Sequence, residues 1–395
     1  MNASETSPPA TPDIRVQDAA SKAHQLDIRF TGSGSEYFRI WIVNLLLMLV
    51  TLGIYYPWAK VRRLRYFHGN TLVGNEPLDF HGNPKKMLKG YALVGVLLVL
   101  YSTVGEYSPT AKLLAFLVVM ALGPALLKSS MQFRLANTSW RGLRFAFRGS
   151  LKDVYRAVLP LLLPGLVMVG ALTAVPNPQT PPMWYVFTLA AVGLLTLAVM
   201  PWLLWNLKRY QHSHYALASL QTTFRATPGS FYKILLQALG LALLALLIAV
   251  GVPALMFYSV KASGPVGAVG AGLGLVAGLL PLLAILAIFV ALKPFVVARM
   301  QNLVWTQTGN TSLRFRSHLQ FKSLLWLTLK NWLLIILTLG LYWPFAAIAL
   351  ARMRLQAVGV RTHVHPDTLV AQIQGSEGDA AGDAAGDLLG IDIGL

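Results

Sequence analysis

The sequence predicts an all-α polytopic membrane protein, with six to eight transmembrane helices and short β-strands between helix pairs. Its composition indicates a membrane, because 55% of the 395 residues are hydrophobic and only 12% are charged. Soluble proteins carry roughly 25% charged residues. Long apolar segments recur along the chain, and one short motif stands between them five times. Together these observations favour helices that bury their side chains in lipid.

Six segments are apolar over roughly the 20 residues that cross a bilayer. They are 88–105, 111–127, 154–174, 183–206, 232–258 and 266–298. Few cations lie in the short links within the three pairs, whereas the links between pairs are rich in Lys and Arg. Because Lys and Arg are retained in the cytoplasm, each pair is predicted to run out and back.

The recurring motif is a Phe, then an apolar stretch, then a Pro. The Phe residues are Phe30, Phe80, Phe147, Phe224 and Phe315, and the Pro residues are Pro57, Pro124, Pro201, Pro294 and Pro344. The spacing from a Pro to the next Phe is identical in three places (57 to 80, 124 to 147 and 201 to 224) and slightly shorter in the fourth (294 to 315). This register predicts an internal pseudo-repeat within a membrane domain at 28–366. Its copies would lie at about 28–79, 80–146, 147–223, 224–314 and 315–366.

The first and fifth copies are too short to cross a bilayer twice. The first runs only from Phe30 to Pro57 and the fifth from Phe315 to Pro344, and both contain a Thr-Leu-Gly break. One interpretation of 37–58 and 324–350 is a re-entrant hairpin bent at Gly53 and Gly340, with its turn buried in protein. The other is a single crossing that is kinked near the Gly and the Pro.

The basic links contain strand patterns. Residues 143–148 alternate apolar and polar side chains, which is typical of a half-buried strand, and Gly74-Asn75-Glu76-Pro77 predicts a hairpin turn. Several such strands on the cytoplasmic face could pair into one sheet, since an isolated hairpin is marginally stable.

Both ends of the chain are predicted to be disordered tails. Residues 1–27 are polar and lack the apolar core of a signal peptide. Residues 367–395 are acidic and rich in Ala and Gly, with no core to build. The chain has no Cys, which excludes disulfides and thiol catalysis.

The net charge of +18 comes from cations that flank the apolar segments. This placement favours a role in topology and in contacts with anionic lipid headgroups over nucleic-acid binding. The predicted headgroup and topology cations are Lys60, Arg62, Arg63, Arg65, Lys85 and Lys86.

A long aromatic and basic string between residues 30 and 90 is the most specific part of the sequence. It includes Phe30-Thr31-Gly32, Glu36-Tyr37-Phe38, Thr51-Leu52-Gly53-Ile54-Tyr55 and Pro57-Trp58-Ala59-Lys60-Val61-Arg62-Arg63. On these motifs the chain resembles the YjgN-like family, bacterial inner-membrane proteins built around a domain of unknown function. The resemblance covers about 25–365 and implies an inner-membrane location. It implies no activity, ligand or catalytic residue. The fifth copy departs from it at 346–349, where Ala-Ala-Ile-Ala replaces the basic run.

Few side chains suggest a chemical site. Asn44 and Asn331 stand at the same distance before a motif Pro (44 to 57 and 331 to 344), and with Lys330 they are the candidate intramembrane polar residues. Lys330 is expected to snorkel towards the headgroups. The pairs His212/His214 and His363/His365 lack the further ligands of a zinc site. We therefore expect no metal and no cofactor, and without paired carboxylates or a triad we expect no enzyme.

Three functional classes remain open, and of these a membrane enzyme fits worst, for want of paired carboxylates or a complete triad. A transporter or channel-like protein is favoured, because repeats and interrupted apolar segments at matching positions are typical of transporters. The predicted spans contain no acidic residue, so such a carrier would lack the usual proton relay. The alternative is a lipid-interacting or envelope scaffold, which needs no such residue.

Overall fold

The computed structural model describes residues 24–175, 180–262 and 267–363. Its helices are α1 Gly34–Val50, α2 Tyr56–Gly69, α3 Pro84–Tyr107, α4 Pro109–Ala136, α5 Leu151–Thr173, α6 Met183–Ser213, α7 Pro228–Ala262, α8 Gly267–Thr306, α9 Phe321–Leu337 and α10 Trp343–Gln356. Its strands are β1 His24–Phe30, β2 Thr71–Val73, β3 Glu76–Phe80, β4 Thr138–Trp140, β5 Leu143–Phe147, β6 Tyr215–Leu217, β7 Leu220–Gln221, β8 Thr223–Phe224, β9 Thr308–Gly309, β10 Leu313–Ser317 and β11 Val358–Thr362.

The strands form one antiparallel sheet that closes on itself. Its order is β7-β6-β5-β4-β3-β2-β1-β11-β10-β9-β8. The two ends of this order, β7 and β8, are separated along the chain only by Thr222. β1 and β11 pair from His24 opposite Thr362 to Asp27 opposite Gly359.

The all-α prediction is therefore wrong in one respect, because the strands join into a single eleven-stranded sheet. The sequence suggested pairing between strands, but ring closure depends on contacts between residues near opposite ends of the chain. The predicted N-terminal tail also ends earlier than expected, since residues 24–27 belong to β1. Residues 1–23 and the predicted tail at 367–395 lie outside the described residues.

Each pair of consecutive helices is flanked by two strands that pair with each other. Around α1 and α2, for example, Phe30 lies opposite Thr71, so both helices start and finish at the sheet. Residues 37–58 therefore form a helical hairpin rather than a single kinked crossing, with a turn at 51–55. We call each strand–helix–helix–strand segment a unit and number the units from one to five.

The fifth unit is shifted by two positions from the predicted register. In the other units, the residue after the strand-end Phe donates its N–H to the end of the second helix, as Thr31 does to Asn70 (2.9 Å). In unit five the donor is His318, which bonds to Ala357 (3.0 Å). The strand-end residue is thus Ser317 and not Phe315. Counted from Ser317, the spacing back to Pro294 equals that from Phe80 back to Pro57.

A buried apolar cluster lies at the base of each unit, where strands meet helices. In unit two, Phe80 packs with Met87 and Phe133 of its own helices and with Val61 of the preceding unit. Equivalent clusters join the other neighbours, including Ile348 of unit five with Phe30 of unit one. Burying such a side chain stabilises the fold by ~1.5–3 kcal/mol. The base is therefore held together between units as well as within them.

The predicted hairpin at 74–77 is present. Gly74 (φ 58°) and Asn75 (φ 71°) both lie in the left-handed region, as the two-residue turn between β2 and β3 requires. The same conformation recurs at Arg141 and Gly142, between β4 and β5. These turns connect the units.

The helices stand on the sheet as a closed ring. Each helix contacts the next one along the chain, and α10 contacts α1. No helix among the described residues lies inside this ring. Five helices contain segments that are long and apolar enough to cross a membrane: Pro84–Thr103, Thr110–Ala136, Leu151–Thr173, Met183–Ser213 and Pro228–Leu255. Of the predicted sixth crossing, 266–298, residues 267–298 belong to α8.

Candidate functional site

One side of the helix ring is much lower than the rest. Helices α9, α10, α1 and α2 are consecutive around the ring and contain 17, 14, 17 and 14 residues, whereas the others contain 23 to 40. In units one and five the motif Pro lies at the start of the second helix, but α4 begins at Pro109, far ahead of Pro124. At 1.5 Å per residue, the part of α4 that precedes Pro124 is about 23 Å long. We call these four short helices the low wall.

The turns of the low wall are exposed and apolar. Leu52 is 94% exposed and Leu339 is 95% exposed, so the prediction of a turn buried in protein is wrong. The turn does not need to be buried, because its backbone N–H groups are hydrogen-bonded within the turn. Each N–H from Thr51 to Tyr56 finds an acceptor within residues 47–53, and therefore no donor is left unpaired in an apolar environment.

Thr51 is central to this turn. Its hydroxyl donates to the carbonyl of Leu47 (2.7 Å) and accepts the N–H of Tyr55 (3.0 Å). Gly53 supplies the left-handed conformation (φ 90°). In unit five, Thr338 makes the same two bonds, to Leu334 and Tyr342.

The candidate polar residues Asn44 and Asn331 occupy equivalent buried positions in the low wall but have different surroundings. Asn44 is 5% exposed and its Oδ1 accepts a bond from Arg62 (3.5 Å). Asn331 is 7% exposed, and its Oδ1 has no hydrogen-bond partner. The residue equivalent to Arg62, five positions after the Pro, is Ala349. Lys330 is exposed on α9.

The predicted headgroup cations on α2 also have partners within the protein. Arg65 donates to the carbonyl of Phe80 (3.3 Å) in the next unit. Lys85 is exposed at the start of α3, and Lys86 is half-buried. The other three lie over aromatic rings: Lys60 over Tyr91 (5.6 Å), Arg62 over Tyr55 (5.7 Å) and Arg63 over Trp343 (5.6 Å).

The Arg65 bond belongs to a series that runs around the base. A polar side chain eight positions after the motif Pro donates to a carbonyl at, or two residues beyond, the end of the first strand of the next unit in four of the five units. Because the last of these bonds runs from unit five to unit one, the series also ties the two ends of the chain together. The pairs are Arg65 with Phe80 (3.3 Å), Gln132 with Phe147 (3.5 Å), Asn302 with Leu319 (2.9 Å) and Arg352 with Gly32 (2.8 Å).

Three cations that sequence reasoning missed converge at the base. The ammonium of Lys208 in unit three is repelled by the guanidinium groups of Arg134 in unit two and Arg354 in unit five. Lys208 donates to Gln211 (2.9 Å), and Arg354 donates to Gln301 (2.8 Å). We call Arg134, Lys208 and Arg354 the base cations. Units two, three and five bring them together, so the base attracts anions.

Helix dipoles help to hold these cations. Arg134 and Arg354 each stand ten positions after a motif Pro, in the last turn of α4 and α10. The carbonyl end of a helix stabilises a positive charge by roughly 0.3–1 kcal/mol. The sequence contained this signal, but it did not show that the helix ends meet.

A histidine lies beside the base cations. Burial lowers the pKa of His68, and the charge of Arg134 lowers it further. Its Nδ1 lies 2.8 Å from the carbonyl of Leu64, so the neutral ring donates there. His68 is therefore uncharged near pH 7.

The predicted pair His212/His214 is held by hydrogen bonds within the protein. His212 is buried, with its Nδ1 3.1 Å from the hydroxyl of Thr308, and His214 Nδ1 lies 2.7 Å from the carbonyl of Tyr210. Among the described residues, no group of three His, Cys, Asp or Glu could hold a metal ion. His365, of the second predicted pair, lies outside the described residues.

Comparison with known sequences gives a family and relatives. A family model described as "Bacterial protein of unknown function (DUF898)" matches residues 25–388. The chain belongs to the DUF898 family. Inner membrane protein YjgN of Salmonella typhimurium is 32% identical over 143 residues, and its counterpart in Escherichia coli O157:H7 is 31% identical over 150. These matches confirm the resemblance seen at residues 30–90.

The aligned part is limited. It covers 35% of this chain and 36% of the Salmonella protein, and 36% and 35% for the Escherichia coli O157:H7 protein. The chain thus spans about a third of the length of the curated relatives it matches. No solved structure matches the chain. Family membership therefore adds a membrane context in the relatives but no activity.

Proposed function

We propose that this protein is an inner-membrane lipid-binding protein, in which phospholipid enters the helix ring over the low wall and meets the base cations. The YjgN relatives are inner-membrane proteins by name, which supports the same location here. The observation that carries the proposal is the low wall itself. Four consecutive short helices with exposed apolar turns leave the ring open on one side, at the depth of the lipid chains.

The chemistry of the helix surfaces supports lipid over water inside the ring. On α7 the exposed apolar residues include Leu236, Leu239 and Leu243 on one face and Leu244 and Ile248 on another. At 100° per residue they span about 180° of the circumference, and the exposed Leu246 and Val252 widen this to about 240°. An aqueous channel needs a polar lining on one face, so this surface fits acyl chains better.

Orientation follows from charge. We place the sheet and the base cations on the cytoplasmic side, because Lys and Arg are retained there. The anionic lipids of that leaflet would then meet the positively charged base. Reporter fusions after residues 20, 108, 179 and 262 test this orientation. We expect the reporter after residue 20 to lie in the cytoplasm and the other three to lie on the opposite side of the membrane.

We further propose that the five units are copies of one unit. The hydrogen bond from the strand end to the second helix recurs in all five units, and the same Pro-to-strand-end spacing recurs in all four links between them, which supports this. On this proposal, units one and five are the copies that lost their outer halves. A lateral opening would follow from that loss.

A measurement of ion flux distinguishes a channel from a lipid-binding protein. Lipid binding would be shared by a lipid transporter and a scaffold, whereas an ion or solute channel would pass small polar molecules. Proteoliposomes loaded with a pH-sensitive dye separate the two cases. We expect no ion flux above that of empty liposomes, and a clear flux would overturn the proposal.

The decisive experiment measures phospholipid that remains with the purified protein. Changing Lys208 and Arg354 to Gln removes two base cations. We expect the co-purified phosphatidylglycerol to fall severalfold, because each cation near an anionic surface contributes ~1 kcal/mol of attraction. Lys112→Gln is the matched control, because Lys112 lies at the opposite end of α4. Equal lipid content in all three proteins would overturn the proposal.

A further inference from the structure

The two units of the low wall differ in the side chains between their paired helices. In unit five a groove of about 470 Å³ separates α9 and α10 near the sheet. Polar residues His318, Gln320, Ser323 and Arg352 line one part, and Leu327 and other apolar residues line the rest. The polar residues lie nearest the sheet, where α9 begins and α10 ends.

In unit one, two large side chains occupy the equivalent region. The hydroxyl of Tyr66 accepts from the N–H of Ser33 (2.7 Å) and donates to its carbonyl (2.8 Å), and Glu36 Oε2 lies 3.0 Å away. Burial raises the pKa of Tyr66 to about 12, so the hydroxyl keeps its proton. Arg62 reaches Asn44 higher in the same pair.

Unit five has neither side chain. Met353 replaces the tyrosine nine positions after the Pro, and Ala349 replaces the arginine five positions after it. Both Met353 and Ala349 line the groove. The N-cap residue of α9, Gln320, makes no side-chain capping bond. Two positions that line the groove in unit five thus carry Tyr66 and Arg62 in unit one.

The charges of the groove fit an anion at its sheet end. Arg352 supplies a guanidinium there, and its Nη2 also donates to the carbonyl of Gly32 (2.8 Å). Lys322 lies in the first turn of α9, whose N–H groups and dipole favour a negative group. No acidic residue lines the groove among the described residues. A phosphate is the group that this set of donors would bind best.

The other end of the groove fits a hydrocarbon chain. Leu327 and Ala349 lie further from the sheet, and Asn331 lies one helical turn beyond Leu327, with its Oδ1 unpaired. Beyond it the same face of α9 carries Leu334, which is half-buried. A ligand seated here is therefore charged at one end and apolar along its length.

We propose that the groove between α9 and α10 binds one anionic phospholipid, with its phosphate at Arg352 and His318 and one acyl chain along Leu327 towards Asn331. This site rests on the proposed lipid-binding function and gives it a position. It also assigns the differences between units one and five a role, since larger side chains stand at the equivalent positions of unit one.

The test is a variant that copies unit one into unit five. Ala349→Arg places a guanidinium beside Asn331, as Arg62 stands beside Asn44, and it fills the groove. Because unit one already holds this pair, we expect the variant to fold. Reconstituted protein is labelled with photoactivatable phosphatidylglycerol in phosphatidylcholine nanodiscs, and crosslinked peptides of α9 and α10 are counted. We expect at least about a tenfold loss, equivalent to ~1.4 kcal/mol.

Arg352→Gln tests the phosphate end without filling the space, and we expect labelling of α9 and α10 to fall by a similar factor. Arg209→Gln is the matched control, since Arg209 stands eight positions after Pro201 in unit three, as Arg352 does after Pro344. Competition with excess inorganic phosphate distinguishes a lipid from a small anion. Unchanged labelling in its presence supports the lipid, and displacement would overturn it.

The outcomes separate this site from the general proposal. Loss of the α9 and α10 label in A349R, with bulk phosphatidylglycerol retained, supports the groove. Unchanged α9 and α10 label in A349R overturns the groove but leaves lipid binding elsewhere in the ring intact. A wild-type protein that retains no phosphatidylglycerol overturns both.

Discussion

The exposed turns of the low wall depend on one hydroxyl each, and Thr51→Val removes it without changing the shape of the side chain. In the wild-type turn, Thr51 Oγ1 is the acceptor for the N–H of Tyr55, 3.0 Å away. After the change that N–H faces an apolar environment with no acceptor. We therefore expect the turn to loosen, although no packed side chain has been lost.

The magnitude follows from the cost of an unpaired donor. Leaving one buried N–H without a partner costs ~1–3 kcal/mol. The bond from the hydroxyl to the carbonyl of Leu47 adds little, because that carbonyl already accepts the N–H of Thr51 (3.0 Å). The equivalent change at Thr338 should cost about the same. The two turns belong to different units, so the double variant should lose close to the sum.

The assay is unfolding of the reconstituted protein in mixed micelles, with amide hydrogen exchange at Tyr55 as a local readout. We expect Thr51→Val to lower the free energy of unfolding by about 1–3 kcal/mol, and the Tyr55 amide to exchange at least ~10-fold faster. Thr51→Ser keeps the hydroxyl and should behave like the wild type.

A matched control comes from the middle of a long helix. The hydroxyl of Thr196 donates to the carbonyl of Val192 (2.6 Å), but the residues after it have ordinary helical partners. Thr196→Val should therefore change the free energy of unfolding by less than ~0.5 kcal/mol. If Thr51→Val and Thr196→Val have the same effect, the turn does not depend on its threonine and the reasoning fails.

Three further predictions test the geometry of the turn, the register of unit five and the electrostatics of the base. Gly53→Ala should destabilise by about 1–2 kcal/mol, because its φ of 90° strains any side chain even where no atom is near. Gly240→Ala, in open space within α7, should instead stabilise by ~0.5–1 kcal/mol, and thermal unfolding that moves both variants in one direction would contradict this. Phe80→Ala should lower the free energy of unfolding by ~3–5 kcal/mol, because the Phe80 side chain is only 1% exposed. Phe315→Ala should lower it much less, because Phe315 is half-buried. Equal losses in denaturant titrations would mean that Phe315, and not Ser317, is equivalent to Phe80. The pKa of His68 is lowered in the folded protein, so the unfolded chain takes up a proton at a higher pH than the folded one does. Stability should therefore fall as the pH drops below about 6.5. Melting temperatures measured between pH 5 and 8 should show this fall, and His68→Gln should make them depend less on pH.

Much of the fold could be predicted from periodicity and spacing. The apolar segments predicted five of the helices that can cross a membrane, and Gly74 and Asn75 predicted a turn that the structure contains. These features are local, since a helix or a tight turn is set by residues within a few positions of each other. The motif at 30–90 was likewise sufficient to place the chain in its family.

The candidate sites depended on contacts that spacing does not reveal. The sequence placed Asn44 and Asn331 in matching positions, but only the fold shows that one has a partner in Arg62 and that the Oδ1 of the other has none. The base cations Arg134, Lys208 and Arg354 belong to three different units, and no local pattern connects them.

The sequence by itself therefore determined the membrane character of this protein, its helix pairs and its turns, because each is decided by neighbouring residues and by the solvent they prefer. Only the tertiary structure decided that the strands close into a ring, with His24 opposite Thr362, and that the two shortest helix pairs stand side by side. Those outcomes require the two ends of the chain to meet, and their free energy comes from packing and hydrogen bonds between distant units.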